Sequence, residues 1–224
     1  IKNAINISIK ANLSWRYNQM VKLSKTSKMP CKSFALPAGK KTCIGMIDTD
    51  GKIKDVCKKC YAMKGSYSWR TAKALREHNL SETLNNLEGF KADMIKLLTK
   101  EKSEYFRWFD SGDIYDNDLL FAVYEICKNT PTINHWIPTK ARELLDQDLW
   151  LKLESLNNVT IRYSSPSIEG YYQSIHGSTV IQKGQEVDET RIFKCPVGLT
   201  DERKKCDDCR ACWDSEKVVA YTYH

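Results

Sequence analysis

Seven of the nine cysteines in this chain fall into two groups, and that grouping constrains the fold more than any other feature. The first group is Cys43 with Cys57-x-x-Cys60, and Cys31 lies further upstream. The second is Cys195-Pro196 followed by Cys206-x-x-Cys209-x-x-Cys212. Disulfide frameworks belong to small secreted domains with an even complement of cysteines. A chain of 224 residues buries enough apolar surface to fold without such staples. No apolar run reaches membrane-spanning length. The opening Ile1-Lys2-Asn3-Ala4 carries neither an apolar h-region nor a cleavage site, so no signal peptide is expected. The expectation is a cytoplasmic protein with no membrane partner, in which Cys-x-x-Cys pairs hold metal or do redox work.

The C-terminal group has the spacing a 4Fe-4S cluster needs. Two consecutive two-residue gaps let a tight loop present three sulfurs to three corners of the cube, and a distant cysteine beside a proline closes it. Zinc is the rival, but zinc sites use two separated pairs, whereas three evenly spaced thiols favour iron–sulfur. In the N-terminal group, Cys43, Cys57 and Cys60 would bind three irons and leave one open to a substrate or cofactor. If Cys31 joins them, that site is closed. A redox dithiol at Cys57 and Cys60 is the alternative, although no thioredoxin-like strand precedes it.

Charge is uneven along the chain. Residues 1–80 carry 17 Lys+Arg against 4 Asp+Glu, a net +13, and residues 81–224 are net −6. A basic N-terminal third points to an anionic partner, whether nucleic acid, an anionic small-molecule substrate or a cofactor, or else to a solvated face that complements the acidic remainder.

The pattern divides the chain into an irregular basic segment, 1–69, a β/α core, 70–190, and a cysteine segment, 191–224, all packed as one domain. Turn signals at Met29-Pro30, Leu36-Pro37-Ala38-Gly39 and Asp48-Thr49-Asp50-Gly51 punctuate the first part, with a short strand expected at Ile5 to Ile9. Helices are expected at 70–87, 89–100, 116–128 and 141–153, the last with Leu144, Leu145, Leu149 and Leu153 inward. Strands are expected at Tyr105–Phe109, Ile133–Ile137 and Val159–Tyr163.

Strands alternating with helices at intervals of roughly 25–29 residues imply parallel β/α units. The fold class is therefore α/β: a partial parallel β/α barrel or a small open parallel sheet of about four to six units, with irregular cysteine-rich ends. Ligands of such sheets bind at the C-terminal strand ends. Asp110, Ser111, Gly112, Asp113, Lys140, Arg162 and Ser164 occupy those ends. Asp110 and Asp113 suit an amino or hydroxyl group, and Lys140 and Arg162 a carboxylate or phosphate. A polar rim without a ligand is the plain alternative. Cys127 on an apolar helix face and His135 within a strand read as core, and His78 as helix surface. His176, in a loop, stays a weak site candidate.

Lys28-Met29-Pro30, Leu36-Pro37-Ala38, the run Cys57 to Gly65, Asp110-Ser111-Gly112-Asp113 and Cys206 to Trp213 resemble, in this order, the bacteriophage gene product eighty-eight family. That likeness implies a phage or prophage origin and a host-cytoplasmic location. The chain is more loosely similar to radical S-adenosylmethionine (SAM) enzymes. The similarity implies a partial β/α barrel, a SAM-accessible 4Fe-4S cluster on Cys43, Cys57 and Cys60, and an auxiliary 4Fe-4S cluster on Cys195, Cys206, Cys209 and Cys212. Asp110-Ser111-Gly112-Asp113 would then meet the SAM amino group. The thirteen-residue gap from Cys43 to Cys57 is far longer than in those enzymes, and the aromatic follows Cys60 instead of preceding it. Two other readings stay open. One is a nucleic-acid-binding module with structural metal, in which Tyr67 and Trp69 stack on bases. The other is a non-catalytic redox or host-interaction protein.

Overall fold

A computed structural model describes residues 21–168, 176–197, 205–214 and 216–223. The strand expected at Ile5 to Ile9 lies outside these residues. Two small parallel sheets of three strands each and five α-helices make up the described fold, and no closed barrel is formed among them.

The first sheet has the order β1 (Tyr105–Arg107), β2 (Asn134–Thr139), β3 (Val159–Tyr163). Phe106 pairs with His135 and Ile137 with Ile161, all in parallel register. The β/α rhythm read from the sequence is present. α1 is a single turn at Asp55–Lys58, and α2 (Arg70–Asn85) and α3 (Leu87–Thr99) precede β1. α4 (Asn117–Lys128) and α5 (Gln147–Glu154) form the two crossovers. Asp116 caps α4 by accepting from Leu119 N at 2.8 Å, and Asp146 caps α5 by accepting from Asp148 N and Leu149 N.

Strand alternation sends Phe106, Ile137 and Ile161 to the helix side, where they meet Phe90, Met94 and Leu98 of α3, Leu119 and Val123 of α4, and Trp150 and Leu153 of α5. Each such side chain contributes roughly 1.5–3 kcal/mol by leaving water.

Three expectations are corrected. β1 stops at Arg107, because Phe109 adopts a left-handed backbone (φ 46°) that no strand accepts. The helix expected over 141–153 is broken. A 3-10 turn at Arg142–Leu144 gives way to extended Leu145 before Asp146 starts α5. That break shifts the helical phase, so Leu144 is 56% exposed and Trp150 takes the buried place. Finally, only these three strands are spaced by helices. β4 (Ser178–Ile181), β5 (Ile192–Lys194) and β6 (Val218–Thr222) form a second sheet in the order β4-β6-β5, without an α-helix among the described residues between them.

Single parallel bridges extend both edges of the first sheet. Ser33 pairs with Arg107 beside β1, and Ser164 at the end of β3 pairs with Ser178 at the start of β4. The sheet face turned away from the helices carries Tyr105, Arg107, Trp136, Thr160 and Arg162. The C-terminal segment covers it: Trp213 lies against Tyr105 and Trp136, with centroids 5.2 and 5.4 Å apart, and Tyr221 stacks on Trp136.

Candidate functional site

The segment 32–36 runs along β1 and ends beside its C-terminal turn. Phe34 N donates to Arg107 O at 3.1 Å, and Leu36 N to Ser111 O at 2.9 Å. Asn79 on α2 holds this segment, donating to Lys22 O and Ala35 O while accepting from Lys22 N. Gly112 sits at φ 79°, and a Cβ there would lie 2.6 Å from Leu36 Cβ, so only glycine admits both the turn and the contact.

From Pro37 onward the chain crosses the ends of all three strands. The Ile44–Met46 turn lies on the end of β2: a Cβ at Gly45 would stand 2.1 Å from Lys140 O. Val56 N, on α1, donates to Pro166 O beyond β3 at 3.4 Å. The Tyr61 hydroxyl donates to Asp110 O beyond β1 at 2.8 Å. One loop thus places Cys43, Cys57 and Cys60 over the C-terminal edge of the sheet. The three thiols are partly buried and within electrostatic reach of one another through Cys60, and Cys43 and Cys57 also feel Asp113. Burial pushes the Cys43 thiol up to about 11 and raises that of Cys57, against the nearby Lys140 cation. Thiolates are what metal binds, so loading here would release protons.

Asp113 is fully engaged. Its Oδ1 accepts from the Thr139 hydroxyl and Ile114 N, and its Oδ2 from Lys140 N, each at 2.8 Å. Burial nevertheless raises its pKa, as it does that of Asp110, which Arg107 and Arg76 oppose. Asp110 Oδ2 accepts from the Tyr67 hydroxyl at 3.5 Å, whereas Oδ1 is buried without a hydrogen-bond partner. The Ser33 hydroxyl lies beside this carboxylate without forming a well-shaped bond, and Ser111 Oγ is likewise buried and unpartnered. Ser164 belongs to the junction of the two sheets, its N–H donating to Thr139 O at 2.9 Å.

Arg162 is placed elsewhere. It is fully buried and donates to the carbonyls of Ala211, Cys212, Lys217 and Gly177, holding the C-terminal segment to the sheet. There the second cysteine group assembles. Cys195 N donates to Ala220 O at 2.8 Å, and Cys195 is electrostatically coupled to Cys206, Cys209 and Cys212. Cys212 Sγ lies 3.3 Å from the Tyr221 hydroxyl, and burial pushes this thiol up to about 12.

Cys31 is buried with this group. Cys206 N donates to Lys28 O at 2.9 Å, Cys206 Sγ lies 3.9 Å from Met29 Sδ, and Cys31 is coupled to Cys206 and Arg210. None of the nine cysteines is in a disulfide. Among the described residues, no group of three or more His, Cys, Asp or Glu side chains that could hold a metal ion is found. No helix among them is long and apolar enough to cross a membrane.

Cys127 and His135 are core. His135 Nδ1 accepts from Trp108 Nε1 at 3.2 Å, so Nε2 carries the proton and faces Thr130 Oγ1 at 2.9 Å. His78 is half-buried on α2, and His176 is exposed ahead of β4. Sequence reasoning missed Arg107, Arg76 and the Tyr61 hydroxyl. The one available signal was strand alternation, which sets Arg107 on the face away from the helices.

A family profile described as Gene product 88 matches residues 8–215. No curated protein and no solved structure matches the chain.

Proposed function

Since the chain belongs to the bacteriophage Gene product 88 family, whose description names no chemistry, we propose from the site itself that it is an iron–sulfur enzyme of the radical-SAM type. One observation carries this reading. A single loop brings Cys43, Cys57 and Cys60 to the C-terminal edge of a parallel sheet, where α/β enzymes gather their ligands. The bridge from Ser164 to Ser178 supports reading the two sheets as one partial β/α barrel.

The three thiols would hold a 4Fe-4S cluster with one iron open to SAM, and Cys195, Cys206, Cys209 and Cys212 an auxiliary cluster. A reduced 4Fe-4S cluster supplies single electrons. The protein's own part is positioning. Asp113 clamps Thr139 and Lys140, and so sets the floor on which the cysteine loop rests. Lys140 favours the Cys57 thiolate and leaves a cation for a carboxylate. Asp110 Oδ1 and Ser111 Oγ offer unsatisfied polar atoms to an amino or hydroxyl group.

Protein purified without oxygen should be brown and carry iron and sulfide, and SAM should perturb the electron paramagnetic resonance spectrum of its reduced form. A colourless protein with stoichiometric zinc would exclude the clusters. A spectrum indifferent to SAM would exclude only the SAM step.

A second reading, a nucleic-acid-binding module with structural metal, draws on one exposed stretch of sequence, 58–73. Trp69 is 66% and Met63 58% exposed, among the exposed Lys58, Lys59, Lys64, Arg70 and Lys73. Binding of a labelled single strand that weakens steeply with salt and is lost in Trp69→Ala would favour it.

A further inference from the structure

We propose that the face of the first sheet turned away from the helices holds a binding site for a small oxyanion, a carboxylate or phosphoryl group, built on Ser33, Arg107 and Trp136. The proposal stands apart from the iron–sulfur reading and needs no metal. Ser33 pairs with Arg107 at the edge of β1, and Arg107 pairs with Trp136 across β1 and β2. Register partners in neighbouring parallel strands present their side chains on the same face, with the strands about 4.8 Å apart. The three side chains therefore form one row. It continues to Thr160, the partner of Trp136 on β3.

Each of the three carries a buried polar atom without a hydrogen-bond partner: Ser33 Oγ, Arg107 Nε and Trp136 Nε1. Thr160 differs, because its hydroxyl donates to Trp213 O at 2.7 Å. Ser33 is 0% and Trp136 3% exposed, which puts their polar atoms out of reach of bulk solvent. Buried polar groups are normally satisfied, so three such atoms in one row point to a ligand that pairs with them.

The donor set defines the chemistry of that ligand. Indole and guanidinium N–H groups only donate, so the ligand must accept. Arg107 forms no ion pair with a carboxylate among the described residues. Asp110 is within electrostatic reach of both Arg107 and Arg76, so two cations face one carboxylate and a positive charge is left over. An acceptor that also brings negative charge is an oxyanion, and the guanidinium fork matches a carboxylate or phosphate in shape. Arg107 itself is half-buried and donates to the hydroxyl of Tyr61, which is 51% exposed, so the row has an opening toward the surface.

The test is isothermal titration calorimetry of the full chain with inorganic phosphate and, separately, with acetate. At least one of them should bind saturably, at one site per chain. Trp136→Phe keeps a ring and removes the N–H, and should weaken that binding at least about tenfold, as loss of one hydrogen bond to a charged acceptor does. Arg107→Gln should weaken it further, and Arg107→Lys should recover part of the loss. Lys152→Gln, exposed on α5, should bind as wild type. Phosphate alone would identify a phosphoryl group, and acetate alone a carboxylate. Where Arg107→Gln or Trp136→Phe does not fold, Ser33→Ala removes a single hydroxyl and should also bind more weakly. Absence of saturable binding of either anion, or an affinity unchanged in the folded variants, would overturn the proposal.

Discussion

The Asp113 carboxylate accepts the Lys140 backbone N–H at 2.8 Å and so locks the turn after β1 to the end of β2. The same carboxylate takes the Thr139 hydroxyl and its neighbour's N–H. Asp113→Ala leaves those donors buried and unpaired. It should cost about 3 kcal/mol, read as a lower urea midpoint with an unchanged m value. Stability within about 0.5 kcal/mol of wild type would show that the clamp is not structural.

Gly45 has no room for a side chain against Lys140. Gly45→Ala should push the Cys43 turn off the end of β2 and empty the N-terminal group. On the iron–sulfur reading, the C-terminal group, built from other segments, should keep its iron. Iron counts per chain in Gly45→Ala, alone and combined with Cys209→Ser, separate the two. Full loading of both groups in Gly45→Ala would contradict the packing.

Cys31 lies with Cys206 and not with Cys43. On the iron–sulfur reading, Cys31→Ser should leave the spectrum of an N-terminal cluster untouched and weaken that of a C-terminal one. Its effect should be non-additive with Cys209→Ser, as for neighbours in one site, and additive with Cys57→Ser. The opposite pattern would return Cys31 to the N-terminal set.

His135 gives the fold an acid limit. Burial lowers its pKa from 6.5 to about 3, so the unfolded chain takes up a proton that the folded one refuses. Stability is full above pH 6.5 and falls by about 1.4 kcal/mol per unit as pH drops toward 3. Asp110 and Asp113 act in the opposite sense. Their raised pKa values return some stability as pH falls through them. His135→Gln, followed by urea unfolding at pH 7 and pH 5.5, should remove the histidine's part of the slope. A slope equal to wild type would show that other groups govern it.

The cysteine groups, the three strands with their helices and the polar strand ends were legible in the sequence because each is a local pattern. Spacing between thiols, a period of two or 3.6, and a cap such as Asp116 depend only on neighbours in the chain. The place of Asp113 at a strand end was legible, whereas its three bonding partners, one of them ending β2 and one just after it, were not.

What only the tertiary structure decided is long-range. It set Cys31 beside Cys206, spent Arg162 on the carbonyls of the C-terminal segment, and joined Arg107 to the Tyr61 hydroxyl. It also built the second sheet from strands of three to five residues with no α-helix among the described residues between them. Such short strands carry too few residues to show a period. They persist because β6 pairs on both sides and because Ile181, Ile192 and Val218 bury one another, contacts that exist only once the loops between them have closed.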